Sequence, residues 1–295
     1  MFVRIMKRQK AKFLVTKEQE KLIGNSGCKL SIFKDDIYKV RKQSTNKLNS
    51  KRLLKQHKKI LNFKDYKNIS VPNIYTADKY KKLFYFDMEY INGSTLSLYL
   101  MSQPIQLTYK IIYQITDYIF YCKRNYISKY KKKIFLKKII NLNKKKIFSD
   151  KFFPAIFNSL INYKWENIEK SKSHGDLSLE NIIIKNNKIK FIDVSENFVE
   201  SYKLDISKIM FDLICFWSFR NAPLKIDTLK IVSLKKYLLE IFVEKLSKND
   251  IKDVKMLIIL DFIRVLDYTK KRDDIKLLKK KLKYFYDNIN NPVRW

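Results

Sequence analysis

The chain has 295 residues, 46% of them hydrophobic and 14% aromatic, which is enough to bury one large core or two smaller ones. Its formal net charge is +34, from 63 Lys and Arg against 29 Asp and Glu. Lys far outnumbers Arg and the charge is spread along the chain, so it reads as a compositional bias and a solvated surface rather than a nucleic-acid footprint.

Three widely spaced cysteines, Cys28, Cys122 and Cys215, show no CxxC spacing and exclude a disulfide framework or zinc cluster. With only His57 and His174, a histidine-rich metal centre is excluded as well. Residues 1–15 lack the apolar core and cleavage site of a secretory leader. The best apolar run, 256–266, is broken by Asp261 and Arg264 and is too short to span a bilayer. A cytoplasmic location is expected.

In chain order, 22–42 reads as β structure, with segments 29–33 and 37–41 flanking a turn at Lys34-Asp35-Asp36. Residues 44–63 place Leu53, Leu54, Ile60 and Leu61 near helical spacing without Pro or Gly, which predicts an amphipathic helix. Two more strands follow at 71–75 and 83–90. After Gly93 the character turns helical. Ile111, Ile112, Ile115, Ile119 and Phe120 mark one face of a helix over 107–123. The Lys-dense stretch 126–151 carries an apolar stripe at Ile134, Phe135, Ile139, Ile140 and Leu142. A β-hairpin is expected from 181–185 and 188–193 around Asn186-Asn187. From Asp205 onward the pattern is of amphipathic helices, with Pro223 as a break.

The strongest chemical signal is His174-Gly175-Asp176-Leu177-Ser178-Leu179-Glu180-Asn181, followed by a hairpin ending in Ile192-Asp193. Phosphoryl transfer needs a cation to hold and neutralise a triphosphate and a carboxylate to orient the attacking hydroxyl. An Asp and an Asn on one short loop can supply a base and a metal ligand. An Asp at the end of the following hairpin can return to the same cation, and magnesium prefers such oxygen ligands.

This octet and the later Asp resemble the H-R-D-L-x-x-x-N and D-F-G set of kinases. The HGD form, lacking the Arg of protein kinases, is similar to the aminoglycoside phosphotransferase and choline kinase group. The resemblance implies Asp176 as catalytic base, with Asn181 and Asp193 on Mg2+. It also implies an α+β, two-lobed protein-kinase-like fold. The expected nucleotide-binding lobe is 1–91, a small antiparallel sheet with one helix; a mainly helical catalytic and acceptor-binding lobe covers 92–295.

Weaker segments acquire roles through the same resemblance. Ile23-Gly24-Asn25-Ser26-Gly27 sits at a strand-to-strand turn where Gly24 and Gly27 let backbone N–H groups approach phosphate. Lys39-Val40-Arg41-Lys42 ends the strand where such kinases carry the Lys on the α- and β-phosphates. Alternation puts Val40, toward adenine, and Lys42, toward phosphate, on one face, with Arg41 on the other; a shift of one would exchange Lys42 and Arg41. Residues 86–93 resemble the kinase hinge, with backbone groups of Glu89, Tyr90 and Ile91 pairing with adenine. The four glycines, Gly24, Gly27, Gly93 and Gly175, all fall within these segments. Asp205 resembles the Asp that braces the catalytic loop, or is a helix N-cap, and His174 is expected to support that loop by hydrogen bonding.

Two departures stand out. No Glu or Asp lies between Gln43 and Lys64, so the usual Lys–Glu pair cannot form there, and Gln56 is the candidate neutral substitute. The phosphate turn also lacks a full G-x-G-x-x-G. The expected activity is ATP- and Mg2+-dependent transfer of the γ-phosphate to a hydroxyl of a small molecule, a sugar or sugar derivative by analogy with bacterial, capsule-related members of the group. The Lys-rich stretch 130–151 is either a solvated helix face or a surface for an anionic acceptor or an acidic membrane. Absence of the HRD Arg, and of Ala-Pro-Glu after Asp193, argues against a protein kinase. A pseudokinase or a basic nucleic-acid or anion binder is the alternative.

Overall fold

The computed structural model describes residues 20–23, 28–220 and 226–291. Gly24 and Gly27 lie outside the described residues. Along the chain, β1 (Glu20–Ile23), β2 (Cys28–Lys34) and β3 (Tyr38–Ser44) lead into α1 (Lys47–Leu61), β4 (Ile69–Ser70), β5 (Ile74–Tyr80) and β6 (Leu83–Glu89). Next come β7 (Ser94–Thr95), α2 (Leu96–Ser102), α3 (Ile105–Arg124), β8 (Tyr126–Lys129), α4 (Lys132–Asn143), α5 (Phe153–Asn162) and β9 (Glu169–Ser171). The hairpin β10 (Ile182–Lys185) and β11 (Lys188–Phe191) precedes α6 (Tyr202–Cys215), α7 (Thr228–Lys245), α8 (Lys248–Tyr268) and α9 (Arg272–Asp287). The architecture is α+β.

The described residues form two compact units. One contains the residues up to Tyr118, the segment Leu179–Asn197 and Ile226; the other contains Ile119–Ser178, Phe198–Arg220 and the residues from Asp227. The β10–β11 hairpin thus groups with the N-terminal sheet.

The first unit is built on a five-stranded antiparallel sheet of order β1-β2-β3-β6-β5. Helix α1 packs on β6 and β3 through Leu53, Gln56 and Ile60. It starts three residues later than the periodicity predicts because Ser44 stays in β3, where its hydroxyl donates to the Phe84 carbonyl at 3.0 Å. Asn46 then caps the helix, accepting from the Asn49 N–H at 2.8 Å. Strand β5 begins beyond Pro72, which has no N–H to give a ladder. A second sheet, β4-β11-β10-β7, contains the predicted hairpin. Asn186 and Asn187 at its tip have φ of 49° and 60°, the paired left-handed conformation of a type I′ turn that Asn tolerates well. Behind it, Gly93 passes so close to β10 that a Cβ there would meet Ile183 Cγ2 at 2.6 Å and the Ile184 carbonyl oxygen at 2.7 Å.

In the second unit, α6 is buried along its whole length and packs against α8. Its polar side chains therefore need internal partners. The Lys203 ammonium lies 2.6 Å from Asp250 and 2.7 Å from Asp253, and Ser218 N–H donates to Asp212 at 2.7 Å. Trp165 is fully buried, stacks on Phe135 at 4.5 Å and donates its indole N–H to the Leu160 carbonyl at 2.7 Å. Residues 126–129, which the sequence reading merges with a Lys-rich apolar stripe, form β8 and pair with β9.

Gly93→Ala is expected to destabilise the protein by about 1–3 kcal/mol, because a methyl group cannot fit against the β10 backbone without displacing it. The urea midpoint measures this, and an unchanged midpoint would show that the close approach is dispensable.

Candidate functional site

In the first unit, strand alternation sets the direction of each side chain. Val40 and Lys42 face inward, 2% and 3% exposed, and lie opposite Met88 and Phe86 on β6. Arg41 leaves from the opposite face. It grips Asp87 with two hydrogen bonds of 2.7 and 2.8 Å and stacks on Tyr85 at 4.3 Å, while Thr76 donates to the same carboxylate at 2.8 Å. A guanidinium held this way is committed to the sheet surface.

The Lys42 ammonium instead reaches Asp193 Oδ1 at 2.7 Å, bridging 151 positions of sequence. Asp193 follows the strand end of β11 and has a φ of 57°, a conformation that costs a non-glycine residue about 1 kcal/mol or more and is held by its surroundings. Directly before it, the Ile192 N–H donates to the Asn181 carbonyl at 2.9 Å. Asn181 and Asp193 thereby emanate from backbone positions tied to each other, and both carry side-chain oxygens of the hard type that Mg2+ and Ca2+ prefer.

Helix α1 resolves the missing helix acid in an unanticipated way. Gln56 is buried beside Leu53 and Ile60, and the side-chain bond formed by Lys42 goes to Asp193 rather than to this amide. The helix presents cations to the segment after Asp193: Lys59 donates to the Ser195 carbonyl at 3.0 Å and Lys55 to Glu196 at 2.8 Å.

At the end of β6, Glu89 N–H donates to the Asn73 carbonyl at 2.8 Å and Tyr90 N–H to the Tyr38 carbonyl at 3.4 Å. The Glu89 carboxylate accepts from Lys190 at 3.1 Å. Among the described residues no protein acceptor meets the N–H of the buried Ile91. Ile91 clusters with Ile183 and Ile192, two buried residues the sequence reading did not single out. Their signal was present: both are apolar residues of the hairpin that leads to Asp193.

In the second unit, the loop bearing Asp176 is suspended from α6. Asp205 accepts from the N–H groups of His174 at 2.6 Å and Gly175 at 2.8 Å. Gly175 has a φ of 91°, which only glycine adopts without strain. The fully buried His174 accepts the Asp176 N–H on Nδ1 at 3.2 Å, which leaves Nε2 as the protonated nitrogen. The Asp176 side chain keeps 46% of its surface in solvent, and Lys208, also unforeseen, places its ammonium 3.5 Å from Oδ1.

No family model matches the chain, and no curated protein matches it. Solved structures do. The chain is similar to the GDP complex of wild-type aminoglycoside 2'-phosphotransferase-IIIa, with a TM-score of 0.62 and 13% identity over 97% of this chain and 98% of that one. It is similar to choline kinase from Cryptosporidium parvum Iowa II, with a TM-score of 0.56 and 12% identity over 97% and 94% of the two chains. A complex of an amicoumacin kinase with AMP-PNP, Ca2+ and its ligand gives a TM-score of 0.51 and 11% identity over 99% and 94%. The chain has the two-lobed, protein-kinase-like fold of these small-molecule kinases.

Asp205→Ala would orphan two buried N–H groups and is expected to cost roughly 2–5 kcal/mol. Thermal denaturation checks this, and a melting point equal to that of the parent would mean that the loop holds itself.

Proposed function

We propose that the protein is an ATP- and Mg2+-dependent phosphotransferase that moves the γ-phosphate to a hydroxyl of a small molecule. The observation that carries the reading is the Lys42–Asp193 ion pair, which joins the inward face of β3 to the residue after the β10–β11 hairpin. An ammonium and a carboxylate brought together across the chain, next to a tied Asn181, suit a triphosphate and its cation. The likeness to kinase folds supports the same assignment.

In this reading residues 1–91 bind nucleotide and 92–295 carry the catalytic loop and the acceptor. Val40 and the Ile91, Ile183 and Ile192 cluster offer apolar surface to the base, and the Ile91 N–H is the donor to it, flanked by Glu89 and Tyr90. Lys42 holds the α- and β-phosphates, while Gln56 fills the α1 position behind it. Gly24 and Gly27 belong to the phosphate turn. Asn181 and Asp193 would hold Mg2+, which neutralises charge on the phosphates. Asp176, kept in place by Asp205 and His174, orients the acceptor hydroxyl and takes its proton. A sugar or sugar derivative is the acceptor class favoured by analogy with the group, and the abundant surface Lys favours one with negative charge. No helix among the described residues is long and apolar enough to cross a membrane, and a cytoplasmic enzyme is the reading adopted.

Asp176→Asn should lower transfer by about 100-fold or more while nucleotide affinity stays unchanged. Lys42→Met should instead weaken nucleotide binding, and a chelator should abolish turnover. ATP consumption against a panel of sugars, amino alcohols and aminoglycosides measures all three. A variant with Asn at 176 that turns over as fast as the parent would reject the assigned base.

A further inference from the structure

The surroundings of Asp176 within its own unit carry a charge pattern that the transfer reaction does not require. Lys208, on α6, lies 3.5 Å from Asp176 and 2.9 Å from Asp261 on α8. Arg264 reaches the same Asp261 oxygen at 3.1 Å, and Ser207 donates to the other oxygen at 2.9 Å. Asp261 is 1% exposed and anchors both cations, while the Arg264 side chain keeps 21% of its surface in solvent. That guanidinium has five N–H donors, one of which meets Asp261, and lies over the Phe198 ring at 5.0 Å.

Positions 261, 264 and 268 fall on one face of α8. Tyr268 keeps 59% of its surface in solvent; its phenol is raised by the protein atoms crowded around it and then by Asp176, and is pulled back by Arg264 and Arg220, so these groups share one neighbourhood. Arg220 is itself stacked over Trp217 at 3.8 Å. From α4, the Lys138 amine is pulled down by burial and then by Arg264, as expected of crowded cations. Lys145 spends its charge on Asp267 at 3.0 Å. Lys138, Lys145, Lys208, Arg220 and Arg264 thus stand against Asp176, Asp261 and Asp267, with Arg220 also donating to the Trp217 carbonyl, so cations outnumber carboxylates around the partly exposed Asp176.

Such a wall repels a cationic acceptor and offers nothing to a neutral one, but attracts an anion strongly where water is partly excluded. We propose that the acceptor carries a phosphate or carboxylate group beside its reacting hydroxyl, and that Arg264, assisted by Arg220 and Lys138, binds that group. The inference rests on Asp176 being the base of the reaction proposed above. Arg264 is the specificity-determining residue, and Lys208 is the counter-ion that lets a carboxylate and an anionic acceptor coexist.

The test is calorimetric binding of glucose, glucuronate, glucose 6-phosphate and kanamycin to the full chain saturated with Mg2+ and AMP-PNP. At least one anion should bind about tenfold or more tightly than glucose, with kanamycin weakest and the preference shrinking as salt rises. Whichever anion binds more tightly distinguishes carboxylate from phosphate recognition. Arg264→Gln should erase the advantage of the anion over glucose while nucleotide affinity stays that of the parent. Lys138→Met should reduce it and serves alone if the Arg264 variant does not fold. Glucose or kanamycin binding as tightly as both anions, no binding of either anion, or retained preference in the folded variants would overturn the subsite. Nucleotide titration of the same samples keeps the two ideas apart. Intact Mg2+-dependent nucleotide binding with no anion preference sinks only the subsite, whereas absent nucleotide binding sinks the phosphotransferase reading.

Discussion

The loop that bears Asp176 has no regular structure of its own, and the carboxylate of Asp205 gives it one. Two N–H groups at 2.6 and 2.8 Å converge on that side chain, which projects from a helix buried on every side. A carboxylate taken out of water must be met by donors, and these two backbone groups are donors the loop could not otherwise satisfy. This mutual need fixes the loop together with Leu177 and Leu179, which are fully buried. Gly175 supplies the required turn, and His174 completes it from within the core.

In the other unit an opposite-charge contact also ties together segments distant in sequence. The ammonium of Lys42 has no acidic side chain on α1 to meet, so it meets Asp193. The helix responds with the reverse polarity, offering Lys55 and Lys59 to Glu196 and the Ser195 carbonyl. The segment after β11 is held from both ends by cations, one contributed by the sheet and two by the helix. A chain with a large excess of Lys can make such contacts cheaply, because the long stem buries against apolar surface while the head finds an oxygen.

Much of this was legible in the sequence because short-range rules dominated locally. Period-two alternation put Val40 and Lys42 on one face and Arg41 on the other, and Asn186-Asn187 announced its turn through the left-handed tolerance of Asn. The resemblance to the kinase group suggested that Asp205 braces the loop, with a helix N-cap as the other reading; Asp205 accepts from the loop's N–H groups and Ser201 is the N-cap. Contacts made across great sequence separation were not legible. Nothing in the periodicity of α6 or α8 signals that Lys208 and Asp261 meet, nor that four residues at the start of a Lys-rich stretch pair as a strand with β9. The grouping of β10 and β11 with the N-terminal sheet likewise depends on a tertiary pairing with β4 and β7. Gly24 and Gly27 lie outside the described residues.

A chain with four glycines has few residues suited to left-handed backbone. Among the described residues Lys67, Lys81, Lys82, Asn186, Asn187, Asp193 and Phe216 all hold a positive φ. Each conformation costs an L-residue about 1–2 kcal/mol, less for Asn and Asp. Their sum is comparable with the whole net stability of a typical folded domain. The protein therefore carries an internal reserve of strain at its corners, with the hairpin tip at Lys81-Lys82 the plainest case. Its thermal tolerance could be raised from the loops inward, by supplying achiral residues where the chain already bends, without altering any side chain of the core or of the candidate site.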